Sequence, residues 1–391
     1  MRIVDVSAFY APQGGGVKTY VERKLRAARP GREEVIIVAP GPTNATIVDE
    51  PGGKIITIAS PRFPADRRYR YFADEPALHT LLDTLAPDVV EASSPWSSAA
   101  MVARWRGSAM KSLVMHADPL SAYAYRWFGG VASREQINRG FDWYWRHLLR
   151  LDRQFDMVVC ASASLAARLS AGGLRKVVTN PMGVTPGIFS PRLRDPLLRG
   201  RLLSRCGLAD DAVLLLGLGR HAPEKRWPMV IKAVTAAGFN NPVGMVLVGN
   251  GNDKGKVVRA ATNNPHVHLC APISDRAEIA AILASADALV HGCEAETFCL
   301  VAAEARASGL PIIVPDEGGA SDQFVPGQGE QYAAGSPTSL VAAIGRFIAS
   351  NPAEHRRAAT IAAPEVACID SHFDRLFEAY SAGRAPVLHA A

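Results

Sequence analysis

The chain lacks the marks of several large classes. No stretch of its 391 residues approaches the ~18 uninterrupted apolar positions that a membrane-spanning helix needs. Cysteine is scarce. Cys160, Cys206, Cys270, Cys293, Cys299 and Cys368 contain no C-x-x-C pair, so their spacing reads as reduced thiols and argues against a disulfide frame or a zinc site. Charged residues reach only 20%, against a usual ~25%, and both signs are interspersed, which excludes a disordered or acidic solvating chain. The excess of one sign is +6, too small to argue nucleic acid, though it suits an anionic substrate or an acidic membrane surface. The N-terminus MRIVDVSAFYAP carries Asp5 inside its apolar run, so it reads as a first strand and not a signal peptide. The expected location is therefore the cytoplasm.

What the chain does have is apolar pattern. Hydrophobic residues make up 48%, ample for sizeable cores, and at roughly 150 residues per domain the length predicts two. Strands are expected at Arg2–Val6, Glu34–Ala39, Ile55–Ala59, Asp88–Glu91, Leu113–His116 and Met157–Ala161, with helices at Gly16–Ala28 and Glu75–Leu85 between them. Near Asn180 the pattern pauses in NPMGVTPGIFSPRLRDP, whose Pro and Gly density suits a linker. Alternation then resumes. Strands fall at Ala212–Leu218, Val243–Val248, Val267–Cys270, Ala288–His291 and Pro311–Val314, and helices at Pro228–Ala237, Glu278–Ser285 and Thr297–Ala307. The fold class is α/β: two doubly wound, mostly parallel lobes facing across a cleft, residues 1–190 and 191–369.

In such sheets ligands bind beyond the carboxyl ends of the strands. The loop after the first strand, Pro12-Gln13-Gly14-Gly15-Gly16, leads straight into a helix; it either lets backbone N–H groups approach a phosphate or sugar, or is a plain glycine turn. In the second lobe, Gly219, Arg220 and Lys225 follow the first strand, where the two cations suit a diphosphate, the alternative being a solvated surface pair. The sharpest string is HGCEAETFCLVAAEARASGLPIIVPDEGG. Glu296 and Glu304 stand eight residues apart, about 12 Å along a helix, and off a common face, so they do not form an acid–base pair. The spacing instead places Glu296 before the helix and Glu304 inside it, with the N–H groups of Thr297, Phe298, Cys299 and Leu300 aimed at an anion between them. A sugar–diphosphate–ribose ligand would fit. His116, at a strand end, is either an ordinary packed histidine or a partner for a sugar hydroxyl, with Asp118 beside it.

Taken in order, these strings resemble the retaining family 4 glycosyltransferases of GT-B fold. The resemblance runs through Gly14–Gly16, His116, the linker residues Gly183, Val184, Phe189 and Pro191, then Gly219, Arg220 and Lys225, the turn at Gly249 and Gly251, and Glu296, Glu304, Gly309, Pro311, Gly318 and Gly319. It implies that Arg220 and Lys225 hold the donor diphosphate, that Glu296 orients the transferred sugar and Glu304 the ribose, and that the segment around Ile273 meets the base. His116 joins the catalytic set, and Gly15, Gly16, Gly219, Gly249 and Gly251 line the donor site. It implies a nucleotide-sugar co-substrate, no metal and no other cofactor, front-face transfer with retention, and a last helix (370–386) that crosses back onto the first lobe. Four positions depart from the pattern: His291-Gly292 replaces Pro-Ser, Cys299 stands where glycine is usual, and so does Ala271.

Five of the six tryptophans fall between Trp96 and Trp145. Segment 133–155 plots as one amphipathic helix with Arg139, Arg146 and Arg150 opposite Ile137, Tyr144, Trp145 and Leu148, and a second basic-aromatic stretch holds Arg68 and Arg70. Either this lobe docks on an anionic membrane face or a lipid-linked or saccharide acceptor, which would make the protein peripheral on the inner face of the cell membrane, or the arginines are a solvated face over core aromatics. The expected function is hexosyl transfer to a glycolipid, lipid-linked or polysaccharide acceptor. The rivals are a sugar-nucleotide epimerase on the same scaffold and a non-catalytic nucleotide-sugar-binding subunit.

Overall fold

Parallel strands buried on both faces need continuous apolar runs, and the chain supplies them in strands such as VGMVLV, in which every residue is buried. The structure is a computed structural model in which residues 1–11, 16–50, 52–64 and 69–384 are described. One sheet contains β1 (Arg2–Val6), β2 (Glu34–Gly41), β3 (Ala45–Glu50), β4 (Gly53–Ala59), β5 (Val89–Ala92), β6 (Met110–Met115), β7 (Met157–Cys160) and β8 (Val177–Thr179), in the order β3-β4-β2-β1-β5-β6-β7-β8. The other contains β9 (Val213–Leu218), β10 (Val243–Val248), β11 (Val267–Cys270), β12 (Ala288–Val290), β13 (Ile312–Pro315) and β14 (Gly329–Tyr332), in the order β11-β10-β9-β12-β13-β14. Of these pairings only β3 with β4 is antiparallel. Strand order reverses between β1 and β5 and again between β9 and β12, and loops leaving such switch points are where a ligand can settle.

Helices cover the sheets. Glu75–Leu85 is capped by Asp74, whose carboxylate accepts the Ala77 N–H, and it buries Leu78, Leu82 and Leu85. The helix Ile369–Arg384 buries Phe373, Leu376, Phe377 and Tyr380 in one cluster with Tyr20, Val21 and Val114 of the first lobe. Beneath it Lys24 is fully buried, its Nζ 3.0 Å from Asp5 Oδ2 and 2.5 Å from Glu91 Oε2, and the Tyr380 hydroxyl donates to Glu91 Oε2 at 2.6 Å.

Several expectations need correction. The single helix over 133–155 is two, Arg134–Gly140 and Asp142–Gln154, because the chain unwinds at Phe141, directly after a glycine. The helix expected from Thr297 begins only at Leu300, since Cys299 takes a left-handed backbone with φ of 66° that an α-helix cannot continue. Thr297 and Phe298 thus lie in the preceding loop, and Glu304 sits about one turn into the helix. Strands β3, β8 and β14 have no counterpart among the expected elements.

Candidate active site

Two loops from the second switch point build the site. One leaves β9 and runs through Gly219 to Arg226, and the other leaves β12 and runs from His291 to Cys299. Lys225 Nζ donates to Glu296 Oε1, and Arg226 Nε, beside it, donates to Glu294 Oε2 at 2.9 Å, so two ion pairs join the loops. Glu296 is held in place by its own backbone, whose carbonyl accepts the Gly319 N–H at 2.7 Å. A side chain at Gly319 would collide with Phe298, for a Cβ there would stand 2.5 Å from the Phe298 nitrogen. The turn after β10 is equally tight: a Cβ on Gly249 would fall 2.0 Å from the Gly219 carbonyl oxygen, and one on Gly251 would fall 2.4 Å from that of His221. Those glycines let the β10 turn close against the Gly219 loop.

Electrostatics fix the charge states. Burial opposes both charges of the central pair, but each partner overrides it. Lys225 stays protonated well above the usual lysine range, and Glu296 stays ionised well below the usual carboxylate range, helped by His291. His291 Nε2 lies 3.3 Å from Glu296 Oε1, and burial keeps the imidazole neutral. Glu304 is buried, and burial raises its pKa even though Arg276 Nη2 donates to it at 2.5 Å.

The first lobe closes over this floor. Thr297 Oγ1 donates to the His116 carbonyl at 3.1 Å, and Ser164 N–H donates to Asp322 Oδ2 at 2.9 Å. The His116 ring packs edge-on against Tyr20 with centroids 4.7 Å apart, its Nε2 has no hydrogen-bond partner among the described residues, and burial pushes its pKa down to about 4. It is therefore neutral at pH 7. A cavity of about 320 Å³ lies between the lobes, walled by Asp118, Ser164 and Arg168 on one side and by Glu296, Thr297 and Glu317 on the other.

Not every expected residue joins. The Arg220 side chain is 77% exposed and pairs with Glu224 at 3.1 Å, apart from the Lys225–Glu296 pair. Asp118 is paired with Arg168 and caps the turn of Leu120. The Phe298 ring is buried in the core of the second lobe, which leaves only its backbone for a ligand, while Leu300 is exposed and Ile273 half-buried against that core. Gly14, Gly15 and Arg68 lie outside the described residues; Gly16 opens the helix Gly16–Ala27. Arg70 is half-buried and donates to the Ser60 carbonyl. Arg139, Arg146 and Arg150 are exposed as expected, but Arg139 and Arg146 are partnered by Glu135 and Asp142 one turn back. Sequence reasoning passed over Arg226, Glu294 and Arg276, whose partners stand 28 or more positions away along the chain.

Two family models divide the chain between them: Glycosyltransferase Family 4 matches residues 14–187, and Glycosyl transferases group 1 matches residues 204–366. The chain belongs to the family 4 glycosyltransferases. Its two-lobed architecture is the GT-B fold, shared with sucrose-phosphate synthase from Thermosynechococcus elongatus at a TM-score of 0.72 and 18% identity, covering 97% of this chain and 98% of that one. An Anabaena protein in complex with UDP superposes at a TM-score of 0.68 with 16% identity over 98% of this chain and the whole of the other. By sequence, this glycosyltransferase is 29% identical over 361 residues to a GDP-mannose-dependent α-(1-6)-phosphatidylinositol dimannoside mannosyltransferase of Mycobacterium tuberculosis, covering 91% of this chain and 90% of the relative. It is likewise 29% identical to a GDP-mannose-dependent α-mannosyltransferase of Mycolicibacterium smegmatis, over 83% of this chain and 82% of that protein. The enzyme is a nucleotide-sugar-dependent glycosyltransferase.

Proposed function

We propose that the enzyme moves a hexosyl group from a nucleoside-diphosphate sugar to a hydroxyl of a glycolipid or lipid-linked acceptor, with retention and without a metal. The observation that carries this reading is the largely buried Lys225–Glu296 pair at the mouth of the β9 and β12 loops. A diphosphate arriving there would draw the Lys225 ammonium onto its oxygens, where it offsets the charge that grows as the anomeric C–O bond breaks. Glu296, released from Lys225, would accept hydroxyls of the departing sugar. The leaving phosphate oxygen would take the proton of the acceptor hydroxyl on the same face, so no carboxylate nucleophile is needed. Arg220 would complete the grip only by turning in from solvent, and Glu304 with Arg276 would receive the ribose. The neutral His116 ring would hydrogen-bond a sugar hydroxyl from across the cleft.

The relatives support the acceptor class, since one is named for a phosphatidylinositol dimannoside. The first lobe supports it as well: Trp127 and Trp143 are 62% and 53% exposed, and the second stands beside Arg146, Arg150 and Arg153 around a shallow hollow. This face would meet an anionic lipid surface, and no helix among the described residues is long and apolar enough to cross a membrane.

Turnover tests the reading. Purified protein, offered a panel of donors with lipid extract, should release nucleoside diphosphate and give a product of unchanged anomeric configuration. Glu296→Gln and Lys225→Ala should each lose about 10²–10³ in rate with an unaltered circular dichroism spectrum. Near-wild-type rates in both variants, or inversion in the product, would refute it.

A further inference from the structure

Two of the positions at which this chain departs from its family pattern converge on one carboxylate. The loop after β12 folds back so that a ring nitrogen of His291, a carboxylate oxygen of Glu296 and the sulfur of Cys299 all lie within 4.8 Å of one another. His291 is completely buried; Glu296 Oε1 lies 3.3 Å from its Nε2, and among the described residues its Nδ1 has no hydrogen-bond partner. Leaving a buried polar group unsatisfied costs about 1–3 kcal/mol. Cys299 is 3% exposed and is held at a left-handed backbone angle of 66°, a conformation that costs a side-chain-bearing residue stability. Cys299 packs within the core of the second lobe, and its sulfur lies beside the His291 ring there. Both make sense as ligands, because imidazole, thiolate and carboxylate together are a borderline-soft donor set of the kind that binds zinc.

We propose that His291, Glu296 and Cys299 form a binding site for zinc, and that zinc closes the donor site by taking Glu296 away from Lys225. Bonds of about 2.0–2.3 Å place the ligand atoms of a tetrahedral zinc roughly 3.3–3.8 Å apart. Closing to that spacing requires the loop from His291 to Cys299 to draw in around the ion, with Glu296, the most exposed of the three at 22% of its side chain, leaving Lys225. On binding, the Cys299 thiol gives its proton to solvent, neutral His291 donates a lone pair without losing a proton, and Lys225 keeps its own. A water would fill the fourth position, as in zinc sites with three protein ligands. The ion-binding half of the proposal stands on the cluster alone. The closure half rests on the donor-site reading given above.

Cobalt and zinc added to chelator-treated full-length protein separate the possibilities. Cobalt should produce the near-ultraviolet thiolate-to-metal charge-transfer band. Zinc should bind one equivalent in competition with a chromophoric chelator. Cys299→Ser should abolish the band, and Cys299→Ser and His291→Ala should each weaken zinc binding by at least about 100-fold, whereas Cys293→Ser should leave both signals. Cys299→Gly, which suits the left-handed backbone, guards against a misfolded serine variant and should also lose the band. No band and no zinc uptake in the wild type, or uptake undiminished in all three variants at positions 291 and 299, would overturn the site. In the turnover assay zinc should stop nucleoside diphosphate release and a chelator should restore it. Zinc that binds while release continues would overturn the closure alone. Absence of release in metal-free protein would count against the transferase reading and leave the metal site standing.

Discussion

Thr297 donates its hydroxyl to the backbone carbonyl of His116 at 3.1 Å, which ties the loop carrying Glu296 to the strand end of the opposite lobe. The bond spans 181 residues of sequence and is made only when the lobes are together. Thr297→Val keeps the shape and removes the donor. Loss of one such bond, worth about 0.5–1.5 kcal/mol, predicts a two- to tenfold fall in kcat/KM, with the melting temperature nearly unchanged. Steady-state kinetics on the variant check this.

Glu304 accepts from Arg276 at 2.5 Å. If its carboxylate receives the ribose, Glu304→Gln should raise the donor KM by about 10- to 100-fold, the worth of a charge-assisted hydrogen bond, while kcat changes little. A variant that loses kcat at constant KM would place Glu304 with the chemistry instead.

The fully buried Lys24 separates two buried carboxylates, Asp5 and Glu91. Lys24→Met removes the cation and leaves both acids facing each other without water. Breaking a buried pair in this way costs about 3–5 kcal/mol, so the urea midpoint should drop sharply. Adding Glu91→Gln to that variant should recover part of the loss, because one of the uncompensated charges is then gone.

Acid should destabilise the first lobe through two histidines. Burial pushes both His116 and His372 down to about 4, whereas an unfolded imidazole titrates near pH 6.5. Between those values the unfolded chain binds more protons than the folded one. Stability is therefore fully present above about pH 6.5 and drains away as the pH falls toward 4. His372→Gln should flatten the dependence of melting temperature on pH in that window. A wild-type melting temperature constant from pH 6.5 to 4.5 would contradict both shifts.

The sequence exposed most of the frame because parallel strands advertise themselves. Val243–Val248 and Val267–Cys270 lie where the apolar runs place them. Strand β3, Ala45–Glu50, gives no such signal: it is an edge strand with no fully buried residue, and its pattern carries no core face. The helix over 133–155 shows the opposite failure, since its periodicity is continuous while the backbone unwinds at Phe141. In the site, Lys225 and Glu296 were visible because motif and chemistry coincide. Arg226 with Glu294, Arg276 with Glu304, and the Lys24 cluster were invisible, because each partnership is made by folding between distant segments and leaves no local period. The meeting of Cys299 with His291 is likewise absent from cysteine spacing, because it is made only by the turn of one loop.

The return of the last helix has a practical corollary for anyone exchanging halves between enzymes of this kind. Tyr380 and its neighbours complete the hydrophobic interior of residues 1–179, although they follow the second sheet in the chain. A hybrid joined at the linker would graft a foreign tail onto the host's amino-terminal half. Swaps should therefore carry residues 369–384 with the recipient's first half, making the transplant an internal cassette with two junctions.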